Sequence, residues 1–308
     1  MNIGEVLAPL IIVGLGLTLC VWLLTLVWSI IMIVIDGVSF RRRAGNSRGL
    51  TSDFNRIKGR MTRMRRETLL LVPAKEPGFS KVGGLPDLPL AWEWPHGERQ
   101  PRAFVAQVDL GAFRTHGGPD WLPSEGRLYF FYDPDRESYA DVVTVHHTQE
   151  APGSEASYPP TLPSRCRFGE RRVAFMTFPS IPSLDWLNVE LEKTNISDDE
   201  LDALANAPAE IYGDEIQHRI GGYPCEIQDG QMALECEWMR RGLERDYSQP
   251  PAPALIRAAR QWRLLLQVDS DPPLGMNWSD TGRLYVFVRE KDARAGNFTR
   301  TVALSQSH

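Results

Sequence analysis

The sequence predicts an α+β protein, in which an internally duplicated, strand-rich soluble body follows one N-terminal transmembrane helix. Three observations predict this class. A set of short phrases occurs twice in the same order, a long run near the N-terminus has no charge, and strand signals alternate irregularly with helix signals. We therefore divide the chain into a transmembrane helix over 6–36, a basic juxtamembrane amphipathic segment over 37–68 and a soluble domain over 69–308.

The transmembrane helix is predicted from the absence of charge between Val6 and Ile35. About 20 apolar residues are enough to cross a bilayer. A cleaved signal peptide is disfavoured, because no basic residue precedes the run and no small-residue cleavage site follows it. Arginines at 41, 42 and 43 follow the run, so the positive-inside rule places the remaining chain in the cytoplasm. We expect a single-pass protein of a bacterial inner membrane, with its N-terminus outside.

The segment after the predicted span is strongly basic. Between residues 37 and 66 there are ten Lys or Arg, with Asp53 as the one acidic residue, and Phe54, Ile57 and Met61 recur at helical spacing. Two interpretations remain open: the helix lies on anionic lipid, or its apolar stripe packs on the body. Residues 67–308 have 24 basic and 36 acidic side chains, which argues against nucleic-acid binding by this part of the chain.

The repeated phrases indicate two related units, over about 71–133 and 217–304. The phrases are Lys81 to Pro86 and Arg219 to Pro224, Gln107 to Asp109 and Gln267 to Asp269, and Gly126 to Tyr129 and Gly282 to Tyr285. The second copy has a longer stretch between its first two phrases, and we expect that insertion to hold two helices. A groove between the two units is the expected ligand site.

These phrases together resemble the YwqG-like family of uncharacterised bacterial proteins. The resemblance covers about residues 70–304, and it rests on the Gly-Gly-x-Pro and Gln-Val-Asp phrases and on the Trp-x-Asp-x-Gly-Arg-Leu-Tyr phrase that begins at Trp278. It implies an α+β fold with an internal duplication. It brings no assigned reaction, cofactor or catalytic set.

Six residues are candidates for a binding site, and we expect no metal and no cofactor. Asp109 and Asp269 end paired strands, where carboxylates often serve a site but can also cap the following turn. His218 precedes the second Gly-Gly phrase, and we expect it near Asp269. The remaining candidates lie in or after the loop that follows Asp269. They are Asp271, Trp278 and Asp280. The carboxylates of this loop lack the spacing of an EF-hand. The indole can line a groove or fill the core.

Two functions follow from these observations. The first is a membrane-anchored cytoplasmic binding module for a protein or peptide. The alternative is a hydrolase that uses Asp109, Asp269 and His218 in the groove between the units. The sequence favours binding, because it has no Gly-x-Ser-x-Gly elbow and no intelligible Cys-His pair. A hydrolase requires His218 beside a carboxylate in a partly exposed pocket, whereas a buried His218 favours binding.

Overall fold

A computed structural model describes residues 50–76, 78–135, 142–187, 193–212, 217–228, 230–243 and 250–307, and a compact unit begins at Asp53. The strands are β1 (Arg66–Pro73), β2 (Lys81–Val82), β3 (Ala103–Asp109), β4 (Arg127–Tyr132), β5 (Val143–Thr148), β6 (Arg171–Ser180), β7 (Arg219–Gly221), β8 (Trp262–Asp269), β9 (Arg283–Arg289) and β10 (Val302–Gln306). The helices are α1 (Ser52–Arg63), α2 (Leu110–Thr115), α3 (Leu184–Leu187), α4 (Asp198–Tyr212), α5 (Met232–Arg241), α6 (Pro253–Ala259) and α7 (Glu290–Arg294).

All of these strands belong to one antiparallel sheet, in the order β10-β9-β8-β7-β1-β6-β2-β3-β4-β5. The sheet curls until its two ends approach each other. The ring of His147 on β5 lies 5.5 Å from that of Phe298, which precedes β10. The result is a nearly closed, barrel-like sheet. The predicted α+β class is therefore wrong, because strand signals locate each strand but do not show that all of them join one curved sheet.

The two copies of the repeated phrases make the same strand pairings. Lys81 lies opposite Gln107 in the first copy, and Arg219 lies opposite Gln267 in the second. Both glutamines lie opposite a tyrosine of the next strand. Strands β3 and β8 also have a β-bulge at the equivalent position. The centre of the sheet is different, because β1 and β6 pair with each other there.

The core lies between the two halves of the curved sheet. Its buried side chains include Val105, Leu128 and Val145 from one half, and Leu266 and Val286 from the other. The opposite face of β8, β9 and β10 is covered by α5 and α6. The opposite face of β3 and β4 packs against the loop that precedes β3.

Helix α1 resolves the two interpretations of the basic segment. Its apolar residues Phe54, Ile57 and Met61 are buried in a cluster with Leu187 and Leu204. A helix on a membrane surface would place this face in the headgroup region. The prediction that the basic flank lies on anionic lipid is therefore wrong, because the apolar face is already buried in protein.

The predicted span over 6–36 lies outside the described residues. Within the ranges that are described, no helix is long and apolar enough to cross a membrane. We therefore withdraw the predictions of a membrane partner, of a single-pass inner-membrane location and of a fold class that includes a transmembrane helix.

Candidate functional site

His218 and Asp271 form a buried pair. The side chain of His218 is 2% exposed, and its Nε2 lies 3.1 Å from Oδ2 of Asp271. Its Nδ1 accepts a hydrogen bond from the backbone N–H of Asp269 at 3.2 Å. An acceptor nitrogen carries no proton, so the neutral ring is protonated at Nε2 and donates to Asp271. Both ring nitrogens are thus used inside the protein.

Asp271 also binds Arg171 of β6. The two nitrogens of that guanidinium contact the two carboxylate oxygens, with Nη2 at 3.2 Å from Oδ1. Burial raises the pKa of Asp271, but the hydrogen bonds from His218 and Arg171 outweigh burial and lower this pKa to about 2. The ionised carboxylate therefore connects β6 to the loop between β8 and β9.

The two repeated aspartates also serve the fold. Asp109 caps α2 and accepts hydrogen bonds from two backbone N–H groups, that of Gly111 at 2.8 Å among them. Asp269 accepts from the side-chain amide of Gln267 at 2.9 Å and pairs with Arg283 at 3.0 Å. These hydrogen bonds and this ion pair are made within the protein.

The last two candidates differ in exposure. Trp278 is buried, packs against Phe168, and donates its indole N–H to the backbone carbonyl of Asp269 at 3.2 Å. Asp280 is exposed in a turn, and the residues on both sides of it have positive φ. The structure thus brings four of the six candidates together, and it leaves Asp109 and Asp280 apart from them. The four are His218, Asp269, Asp271 and Trp278.

A pocket of about 480 Å³ lies elsewhere, between elements of both repeat units and β1. None of the six candidates lines it. The lining residues are Arg66 and Glu67 of β1, residues of the segment from Arg114 to Trp121 that ends α2 and follows it, and Gly222, Arg263 and Glu290. Among the described residues the lining includes no His, Cys, Ser, Thr, Lys or Tyr, and its charged groups are three guanidinium groups and three carboxylates.

One wall of the pocket is an ion-pair network. Arg263 pairs with Glu290, and Arg294 contacts Glu290 at 2.8 Å and Asp120 at 3.2 Å. Burial raises the pKa of Glu290, but hydrogen bonding from Arg294 and the charge of Arg263 outweigh burial and lower it. Two of the three lining carboxylates, Glu290 and Asp120, are therefore paired with arginine.

Arg66 has a different environment. Its guanidinium lies over the ring of Tyr223, with 4.3 Å from Cζ to the ring centroid, and 5.9 Å from that of Trp186. In the part of the chain that the structure describes, this guanidinium makes no hydrogen bond and no ion pair, and its Nη1 atom is buried. Burial is the main cause of a lowered pKa for Arg66. The pocket thus contains a partly buried cation that packs against aromatic rings and makes no ion pair in the described residues.

The family described as "Domain of unknown function (DUF1963)" matches residues 80–306. The chain belongs to the DUF1963 family. A comparison with curated proteins found no match. The DUF1963 match contains strands β2 to β10 and leaves out β1, which supplies Arg66 and Glu67 to the pocket.

Sequence reasoning missed the arginines of this pocket. Arg66 was counted in the basic segment, although the apolar run Leu69 to Val72 follows it closely and indicates a strand start. Arg263 begins an apolar run that predicts a strand and indicates no role for the arginine. Nothing in the sequence around Arg114 marks it, because its place in the pocket depends on the loop that follows α2.

Proposed function

We propose that this DUF1963 protein is a binding module without catalytic activity, and that its ligand site is the pocket lined by Arg66, Arg114 and Arg263. The observation that supports this is a contrast in polar contacts. The guanidinium of Arg66 makes no hydrogen bond or ion pair in the described residues, whereas the predicted His and Asp candidates other than Asp280 are bonded within the fold. On the phrases quoted above, we also propose that the chain is a YwqG-like member of the family.

The hydrolase alternative has less support. A general base must reach a proton of the substrate or its attacking water at hydrogen-bond distance. His218 is 2% exposed and uses both ring nitrogens inside the protein, so it would have to break a buried contact first. By contrast, a volume of about 480 Å³ is within the usual range of small-ligand sites.

The proposal is tested by a thermal-shift screen of the full chain. The panel contains inorganic anions, amino acids, dipeptides, sugars and polyamines. A ligand present at about 100 times its Kd stabilises the folded state by about 2.7 kcal/mol, which is a measurable rise in Tm. The pocket variant is Arg66→Gln. The matched control is Arg65→Gln, since Arg65 is the exposed neighbour outside the pocket lining.

We expect at least one compound to raise the Tm of the wild type and of Arg65→Gln, and to have a much smaller effect on Arg66→Gln. A compound that stabilises all three proteins equally binds elsewhere and contradicts the proposed site. Hydrolysis of any panel compound that is lost in His218→Gln, with unchanged circular dichroism, would favour the enzyme instead.

A further inference from the structure

We propose that the ligand of this pocket is an organic anion whose carboxylate or phosphate group binds the guanidinium of Arg66. The inference rests on the proposed function, because it names the ligand class for the same pocket. It follows from the charges that line the pocket, from the environment of Arg66 and from the volume beside it.

The charges give the first step. The carboxylates of Glu290 and Asp120 are already paired, with Arg263 and Arg294. The lining charges that remain without an ion pair in the described residues are two cations, Arg66 and Arg114, and one anion, Glu67. Counted together with Arg294, which lies outside the lining, four guanidinium groups meet three carboxylates, and this excess of one positive charge attracts an anion.

The second step is the preorganised guanidinium of Arg66. The guanidinium lies over the ring of Tyr223, with 4.3 Å from Cζ to the ring centroid, and this contact does not use its N–H donors. A planar guanidinium fork matches the oxygens of a carboxylate or a phosphate. The charge of Glu290 acts on Arg66 but the two groups form no ion pair in the described residues, so a bound oxyanion would stabilise this partly buried cation.

The third step concerns the rest of the ligand. A volume of about 480 Å³ exceeds what one oxyanion group fills. The ring of Trp121 is 7% exposed and forms part of the lining, so it offers an apolar surface to a ligand body. The glycines at 117, 118 and 222 leave backbone without side chains around that space. These features favour an organic anion over an inorganic ion.

The experiment compares four probes with the same ring and different head groups: benzoate, phenyl phosphate, benzylamine and benzyl alcohol. Their affinities for the full chain are measured by isothermal titration calorimetry at low and at high salt. We expect benzoate or phenyl phosphate to bind at least tenfold more tightly than benzylamine and benzyl alcohol. Which of these two anions binds more tightly distinguishes a carboxylate ligand from a phosphate ligand. Their affinity should fall as salt screens the arginine charges.

Variants assign this binding to the pocket. Arg66→Gln should weaken the bound anion at least tenfold, and Arg65→Gln should leave it unchanged. Arg114→Gln should weaken it severalfold, and because Arg114 is exposed this variant should fold normally. Glu67→Gln should tighten it severalfold, because a lining negative charge is removed.

Two patterns of probe binding would overturn the inference. One is binding of benzylamine or benzyl alcohol as tight as that of both anions. The other is an anion affinity that is unchanged in both Arg66→Gln and Arg114→Gln. If the thermal-shift screen finds a neutral or cationic compound that requires Arg66, the proposed binding function stands and the oxyanion inference fails. Failure of all four probes to bind also counts against the inference.

Discussion

Replacing Asp271 with asparagine tests whether the buried His218–Asp271–Arg171 group stabilises the fold. The carboxylate is fully buried and accepts hydrogen bonds from both partners. A pKa of about 2, against an ordinary value of 3.8, corresponds to about 2 kcal/mol of stabilisation of the charged form. Removal of one member of a buried ion pair costs about 3 to 5 kcal/mol. Since Arg171 is partly exposed and can be hydrated, we expect Asp271→Asn to lower the free energy of unfolding by about 3 kcal/mol.

The assay is urea denaturation of wild type, Asp271→Asn, Arg171→Gln and the double variant. The double-mutant cycle isolates the interaction energy between Asp271 and Arg171 from the other effects of each substitution. The matched control is Asp280→Asn, an exposed carboxylate whose loss should change the free energy of unfolding by less than about 0.5 kcal/mol. An Asp271→Asn variant that loses less than about 1 kcal/mol would refute the argument.

The lowered pKa of Asp271 predicts that the free energy of unfolding depends on pH. Because folding lowers its pKa, Asp271 contributes its full stabilisation above the unfolded pKa of 3.8, and the contribution is lost as pH falls toward about 2. Wild type should therefore lose about 2 kcal/mol more than Asp271→Asn between pH 4 and pH 2. Parallel stability curves for the two proteins over this range would contradict the assignment.

Three further predictions use urea denaturation as well. Glu237→Gln should lower the free energy of unfolding by about 3 kcal/mol, because this buried carboxylate accepts hydrogen bonds from two arginines and an indole N–H, and its pKa is lowered to about 2. Equal losses of stability in wild type and variant below pH 4 would contradict this. Tyr129→Phe and Tyr285→Phe should each lower the free energy of unfolding by about 1 kcal/mol, because each hydroxyl donates to a backbone carbonyl at 2.7 Å, at equivalent positions of the two copies. Clearly different losses in the two variants would show that the contacts are not equivalent. Gly222→Ala should lower the free energy of unfolding more than Gly242→Ala. Both glycines have positive φ, but a Cβ at 222 would lie within 2 Å of the side chain of Thr68, whereas a Cβ at 242 would have no atom within 4 Å. Equal losses in the two variants would exclude the steric argument.

Local signals in the sequence were reliable where one residue type determines the backbone. Ser197 to Glu200 has the sequence pattern of a capping box, and the backbone N–H of Ser197 donates to Glu200 at 3.0 Å at the start of α4. A capping box marks where a helix begins but not where it ends, and α4 continues to Tyr212. The aromatic and β-branched run from Ala103 to Val108 predicts a strand, and β3 lies there.

Long-range pairing was beyond the sequence. Strand β1 pairs with β6, and Arg66 lies over Tyr223, across separations of more than 100 residues. No periodicity reports such contacts, so neither the closure of the sheet nor the pocket could be predicted. The binding roles of the six candidate residues and the unit bounds over 71–133 and 217–304 stay predictions.

The position of β1 at the middle of the sheet matters for anyone who shortens this protein. A fragment cut to residues 80–306 would match the family in full, yet it would lose the strand that joins β6 to β7. Two bare strand edges in the centre of the sheet would then invite aggregation. Expression trials should therefore begin upstream of Ser52.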